Sequence, residues 1–136
     1  MKLLSVFAAA LAVSNLAQAA DLNVEVAGLK QAKGKVFVAV YNRAEDFLKQ
    51  PMRTVTADAQ PGKVTLLIAG LPPGDYALSV FHDENANGKL DTNLIGMPVE
   101  PYGFSNDASG NYGPPSFKQS LLHVPEAGAT ATVNLR

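Results

Sequence analysis

The sequence predicts an all-β protein: a single antiparallel β-sandwich of about seven strands, with one short helix and a long ordered loop. Three observations predict it. Apolar and polar residues alternate at a spacing of two in several short runs, the pattern of strands with one buried face. Gly, Pro, Asn and Asp punctuate those runs, as tight turns require. No stretch between the runs has the length and 3.6-residue period of the helices that a parallel α/β sheet needs. A length of 136 residues suits one domain.

The elements follow in order. Met1-Lys2, an almost unbroken apolar run over residues 3–13, and Ala17-Gln18-Ala19 form the pattern of a cleaved secretory signal. Residues 1–19 are therefore expected to be a signal peptide, or else a buried N-terminal helix, and residues 20–136 a periplasmic or secreted domain. The apolar run falls well short of the ~20 residues that span a bilayer, and nothing after Ala20 reads as an anchor, so no membrane insertion is expected.

Leu22, Val24 and Val26 then face one way, and Asn23 and Glu25 the other. Gln31-Ala32-Lys33-Gly34 reads as a hairpin loop before Val36, Val38 and Val40, which have Phe37, Ala39 and Tyr41 on the opposite face. Asn42-Arg43-Ala44-Glu45 reads as a helix start, with Asn as the cap and Glu returning the bond, and Pro51 ends that helix. Residues 53–57 and Val64, Leu66 and Ile68 give two more strands around Gln60-Pro61-Gly62. Pro72-Pro73-Gly74 feeds a strand with Tyr76, Leu78 and Val80 on one face; residues 121–124 and 130–135 close the set. The turn and strand over residues 71–80 resemble those of prealbumin-like and carboxypeptidase-regulatory-like sandwiches, which implies an immunoglobulin- or prealbumin-like architecture.

Composition excludes several functions. There is no cysteine, hence no thiol catalysis, thiolate metal site or disulfide, and the core must hold the domain alone. Residues 20–136 carry ten basic and twelve acidic side chains, net −2, which excludes a nucleic-acid binder driven by phosphate charge. A monomer is expected.

Between Phe81 and Lys118 no strand is predicted. A loop of that length is uncommon in a compact domain and tends to be functional. It opens with Asp83-Glu84-Asn85-Ala86-Asn87-Gly88-Lys89-Leu90-Asp91. Calcium loops place side-chain oxygens at positions 1, 3, 5 and 9, glycine at 6 and a backbone carbonyl at 7. Asp83, Asn85, Asn87 and Asp91 fill the oxygen positions, Gly88 the turn, and Lys89 offers its carbonyl. Leu94 stands where such loops carry a bidentate Glu, so the site either recruits a distant carboxylate, with Glu84, Glu100 and Asp107 as candidates, or stays weak, and a Ca²⁺ affinity near the millimolar range is expected. The alternative is a plain Asn87-Gly88 turn.

The second half of the loop holds Tyr102, Phe104, Tyr112 and Phe117. These rings are either a flat surface for a carbohydrate or protein ligand, or a satellite core that anchors the loop. His82 and His123 are the only histidines. His82 reads as a residue on a polar strand face or a neighbour of the ion; a triad of His and Asp with Ser79 or Ser105 can be drawn, but nothing in the spacing supports it. Nucleophile-elbow, zincin and phosphate-loop motifs are absent, and no enzyme is expected.

Leu71-Pro72-Pro73-Gly74-Asp75-Tyr76-Ala77, Val80-Phe81-His82-Asp83-Glu84-Asn85, Gly88-Lys89-Leu90-Asp91-Thr92-Asn93, Tyr102-Gly103-Phe104-Ser105-Asn106 and Gly113-Pro114-Pro115-Ser116-Phe117 together resemble domain-of-unknown-function family 2141. The resemblance implies a small exported β-sandwich of Gram-negative bacteria and supplies no reaction. The expected role is a non-catalytic, calcium-stabilised binding module of the envelope. A purely structural envelope protein is the alternative, and a small hydrolase is a third reading.

Overall fold

A computed structural model describes residues 19–136. The expected signal peptide, apart from its final residue, lies outside the described residues. Eight strands follow one another: β1 (Ala20–Leu29), β2 (Lys35–Tyr41), β3 (Arg53–Asp58), β4 (Gly62–Leu71), β5 (Gly74–Asp83), β6 (Tyr102–Phe104), β7 (Leu121–Val124) and β8 (Ala129–Asn134). They form a sheet ordered β4-β1-β8 and a second ordered β3-β2-β5-β6, with β7 also paired to β5.

The alternation read in the sequence is the alternation of burial. Leu22, Val24 and Val26 of β1, Val36, Val38 and Val40 of β2, Ile68 of β4, Leu78 of β5, Val124 of β7 and Val133 of β8 are all fully buried in one core between the sheets. Each such side chain contributes about 1.5–3 kcal/mol relative to exposure. The other face of the larger sheet is covered at one end. Ala39, Tyr41 and Ala77 are buried there, and Phe47 packs edge-on against Tyr41 with ring centroids 5.3 Å apart.

The all-β expectation holds, with three corrections. Not every pairing is antiparallel, because β1 and β8 run parallel from Leu22↔Ala129 to Ala27↔Asn134. Alternation specifies which face of a strand is buried and is silent on the direction of its neighbour. The expected helix is only a 3-10 turn over Ala44–Asp46. Its cap position is Arg43 and not Asn42, with no side-chain cap bond; Arg43 Nε instead lies 3.4 Å from Glu45 and 3.7 Å from Asp46. Leu48 at φ +60° breaks the helical path before Pro51 is reached. The long loop also contains a strand, β6, paired to β5 through Ser79↔Phe104, Val80↔Gly103 and Phe81↔Tyr102.

Candidate functional site

The 83–91 loop begins where β5 ends, so its first residue is set by the sheet. Asp83 is 3 % exposed. Its Oδ1 accepts the Asn87 amide at 3.1 Å and its Oδ2 the Gly88 amide at 2.7 Å. Asn85 Oδ1 accepts the Asn87 amide at 3.3 Å, and Asn87 Oδ1 accepts the Lys89 amide at 3.1 Å. Ala86 at φ +54° and Gly88 at φ +81° turn the chain. The side-chain NH₂ groups of Asn87 and Asn85 donate to the two oxygens of Asp91, at 2.7 and 2.6 Å. Those two bonds, Asn87 first, hold the Asp91 carboxyl below its ordinary range.

Glu100 closes the loop. It is buried, with Oε2 accepting the Glu84 amide at 2.6 Å and Oε1 the Asp91 amide at 2.9 Å. Of the three carboxylates weighed for the missing ligand, Glu100 is the one joined to the loop backbone at both ends. Glu84 is hydrogen-bonded through its own carboxylate by the Gln31 side chain. Asp107 belongs to another part of the molecule, where it accepts from Asn134 N at 3.2 Å and Asn134 Nδ2 at 2.9 Å. Leu94, at the formal ligand position, is fully exposed. The return of Glu100 to Asp91 had a sequence signal in Asn93-Leu94-Ile95-Gly96, a turn that folds residues 97–100 back beside 91–93. Among the described residues no three Asp, Glu, His or Cys side chains converge on one point. The loop is a hydrogen-bonded turn in which Asn85 and Asn87 present their NH₂ groups to Asp91 and their side-chain oxygens to the backbone.

His82 corrects the expectation of a polar face. It lies on the core side of β5 and is fully buried. Its Nε2 lies 2.5 Å from the Lys33 carbonyl oxygen, to which it donates, and its Nδ1 is buried without a hydrogen-bond partner. The residues of the conceivable triad are apart. Ser79 is on the opposite face of β5 from His82, and His123 pairs with Asp75 at 2.9 Å on the exposed surface. The Ser105 hydroxyl serves the backbone, accepting the Leu78 amide at 2.9 Å and donating to the Ser120 carbonyl.

The four loop aromatics do not share an exposed face. Phe104 is buried, Tyr102 and Phe117 are half-buried, and only Tyr112 stands free. Phe47 joins Phe104 at 6.4 Å and Phe117 at 5.8 Å, and Tyr102 packs edge-on to Phe104 at 6.0 Å. Three of the four therefore form the satellite core. Beside them is a cavity of 260 Å³ lined by Tyr102, Asp107, Ser109, Gly110, Asn134 and Arg136. Arg136 Nη2 donates to the Asp107 carbonyl at 2.9 Å on its wall.

The fold and the loop define an all-β, two-sheet domain with an oxygen-rich loop at the end of β5. The chain belongs to the family described as "Uncharacterized protein conserved in bacteria (DUF2141)", whose profile matches residues 24–132. The resemblance read from the sequence is thereby shown. No curated protein and no solved structure gives a significant match.

Proposed function

We propose that this protein is an exported, non-catalytic β-sandwich of the bacterial envelope, a binding module for a carbohydrate or protein ligand whose 83–91 loop is ordered by a weakly held Ca²⁺. The observation that carries the reading is the buried Glu100 carboxylate at the root of a loop already rich in oxygens. Asp83, Asn85, Asn87, Asp91 and the Lys89 carbonyl are the expected ligands, with Glu100 in place of the absent position-12 carboxylate. Loading requires the Asn85 and Asn87 amides to turn their oxygens inward, away from the bonds they now make to Asp91. With few charged ligands, affinity in the millimolar range of extracellular modules follows.

The test is a thermal melt in calcium and in chelator. At ten times its dissociation constant, a site that only the folded state binds adds about 1.4 kcal/mol. For a domain of this size that is roughly 3–8 °C in Tm. The shift is expected to vanish in Asp83→Asn and Glu100→Gln; coincident curves for the wild type at high millimolar calcium reduce the loop to a turn. Burial of Phe104 and of the rings around it favours a second reading, a structural envelope protein in which calcium only orders the loop. Glycan-array binding lost on Arg136→Ala, at the polar cavity, separates the module from the structural protein.

A further inference from the structure

The two sheets have four edges, and three of them are guarded. β8 is the outer strand beside β1, but its end is closed off: Arg136 and Tyr102 exchange backbone hydrogen bonds at 2.9 and 3.3 Å, and Asp107 takes the Asn134 amide at 3.2 Å. On the flank of β5 away from β2 lie only β6 and β7, three and four residues long. β3 has six residues and carries a charge at each end, Arg53 and Asp58. Short, covered or charged edges are the usual means by which a β protein keeps another strand from adding to its sheets.

β4 lacks these guards. It is ten residues long, stands at the end of its sheet, and pairs with β1 in unbroken register from Leu22↔Ile68 to Ala27↔Lys63. Among the described residues no strand pairs with its other side, where the N–H and C=O groups of alternate residues face outward. No proline interrupts it between Pro61 and Pro72. Its single charge, Lys63, is at one end and already faces Glu25 at 3.7 Å. The two side chains that do bond its backbone act at the other end, Arg53 on the Ala69 carbonyl and Asp21 on the Gly70 amide.

The outward face of this sheet is polar. Asn23 and Glu25 of β1, Thr130 and Thr132 of β8, and Thr65 of β4 lie in adjoining rows across it. Leu67, opposite Asn23 in the middle of β4, is the exception, and it is 55 % exposed.

We infer that β4 is a dimerisation edge, on which two copies of this chain join antiparallel about a two-fold axis through Leu67 into one six-stranded sheet, β8-β1-β4-β4-β1-β8. Three observations choose a second copy as the occupant. An open row of backbone donors and acceptors is complementary to another strand, and under a two-fold axis an antiparallel β4 is its own complement. In that register Lys63 lies opposite Leu71 of the second copy and Thr65 opposite Ala69, so the two lysines stand at opposite ends and no like charges meet. Leu67 then lies opposite Leu67 of the second copy, which takes the one large apolar side chain of a polar face out of water against its equal. The Arg53 bond to the Ala69 carbonyl is the contact that the pairing displaces. A dimer replaces the monomer expected from the sequence. It rests neither on calcium nor on a ligand, so it stands or falls apart from the function proposed above.

The test is sedimentation equilibrium of the purified protein, in chelator throughout. A mass of two chains is expected, falling to one chain in Leu67→Lys, which sets like charges against each other on the axis while the circular dichroism of the folded domain is kept. Leu94→Lys, equally exposed but far along the chain in the 83–100 loop, should leave two chains. The chain has no cysteine, so Leu67→Cys places a single thiol on the axis. Opposed residues of an antiparallel pair lie about 4.5–5.5 Å apart at Cα, within reach of a disulfide. Mild oxidation should therefore cross-link Leu67→Cys into a covalent dimer and leave Lys63→Cys uncross-linked. A wild-type mass of one chain at high micromolar concentration, a two-chain mass that survives Leu67→Lys, or cross-linking of Lys63→Cys as complete as that of Leu67→Cys overturns the inference. Dissociation by Leu94→Lys also overturns it, by moving the contact to the other loop.

Discussion

Ser105 carries a structural duty out of proportion to its size. Its buried hydroxyl takes the Leu78 amide and gives its hydrogen to the Ser120 carbonyl, fastening both ends of the 105–120 excursion to β5. Ser105→Ala leaves those two backbone groups unsatisfied in a dry setting, and a loss of about 1–3 kcal/mol is expected in a denaturant titration, with the strand content unchanged. Tyr76 acts at the other end of β5, where its hydroxyl donates to the Pro72 carbonyl. Burial raises its pKa above the ordinary 10.0, with Arg53 opposing. A group whose folded pKa is raised keeps its stabilising effect below the unfolded value and loses it as pH climbs through the folded one. Stability should therefore decline above about pH 10, and the decline should be shallower in Tyr76→Phe; identical alkaline profiles for the two proteins would refute this.

Among the elements, glycine contacts decide where the loops attach. Gly34, at φ +74° in the loop between β1 and β2, sits so close to the start of the 83–91 loop that a Cβ there would overlap the carbonyls of Asp83 and Glu84. Gly34→Ala combines that overlap with backbone strain, so a loss of at least about 1–3 kcal/mol is expected, read from a thermal melt. A melt equal to wild type would show that the two loops can part freely. Gly103 does the same for β6, where a Cβ would stand 2.7 Å from the Asn134 carbonyl oxygen and 2.9 Å from Val133 Cγ1. That close approach is also why β6 was not legible in the sequence. A three-residue strand centred on glycine shows no alternation, and it is held by its pairing with β5 and by close contact with β8, thirty residues away in the chain. The strands with one apolar face, from Val24 to Val80, were legible because burial alone dictates their pattern.

For the molecule as a whole, side-chain periodicity revealed the layers but not their wiring. The two-sheet architecture, the core and the place of the acidic loop could all be read from residues taken singly. The parallel β1–β8 pair could not, since neither strand encodes its neighbour's direction. The contact of Glu100 with the Asp91 amide was not legible either, because it depends on the path of the ribbon between them. Tyr102 and Phe104 were ambiguous for a similar reason: an aromatic side chain looks the same in a sequence whether it faces solvent or Phe47.

The pairing of β1 with β8 has a consequence in time. The central strand of the smaller sheet receives β4 on one side and, on the other, the final strand of the domain. Contacts closed across so much intervening chain are made late and slowly. Deleting residues 125–136 should leave Val24 and Val26 without a neighbour on one side and give a chain that circular dichroism and proteolysis report as unfolded. A polypeptide made amino end first therefore cannot complete this sheet until residues 129–134 have been added. Until β8 has been made and brought alongside, β1 keeps one open edge, so closing that edge is the last step of folding that the wiring allows.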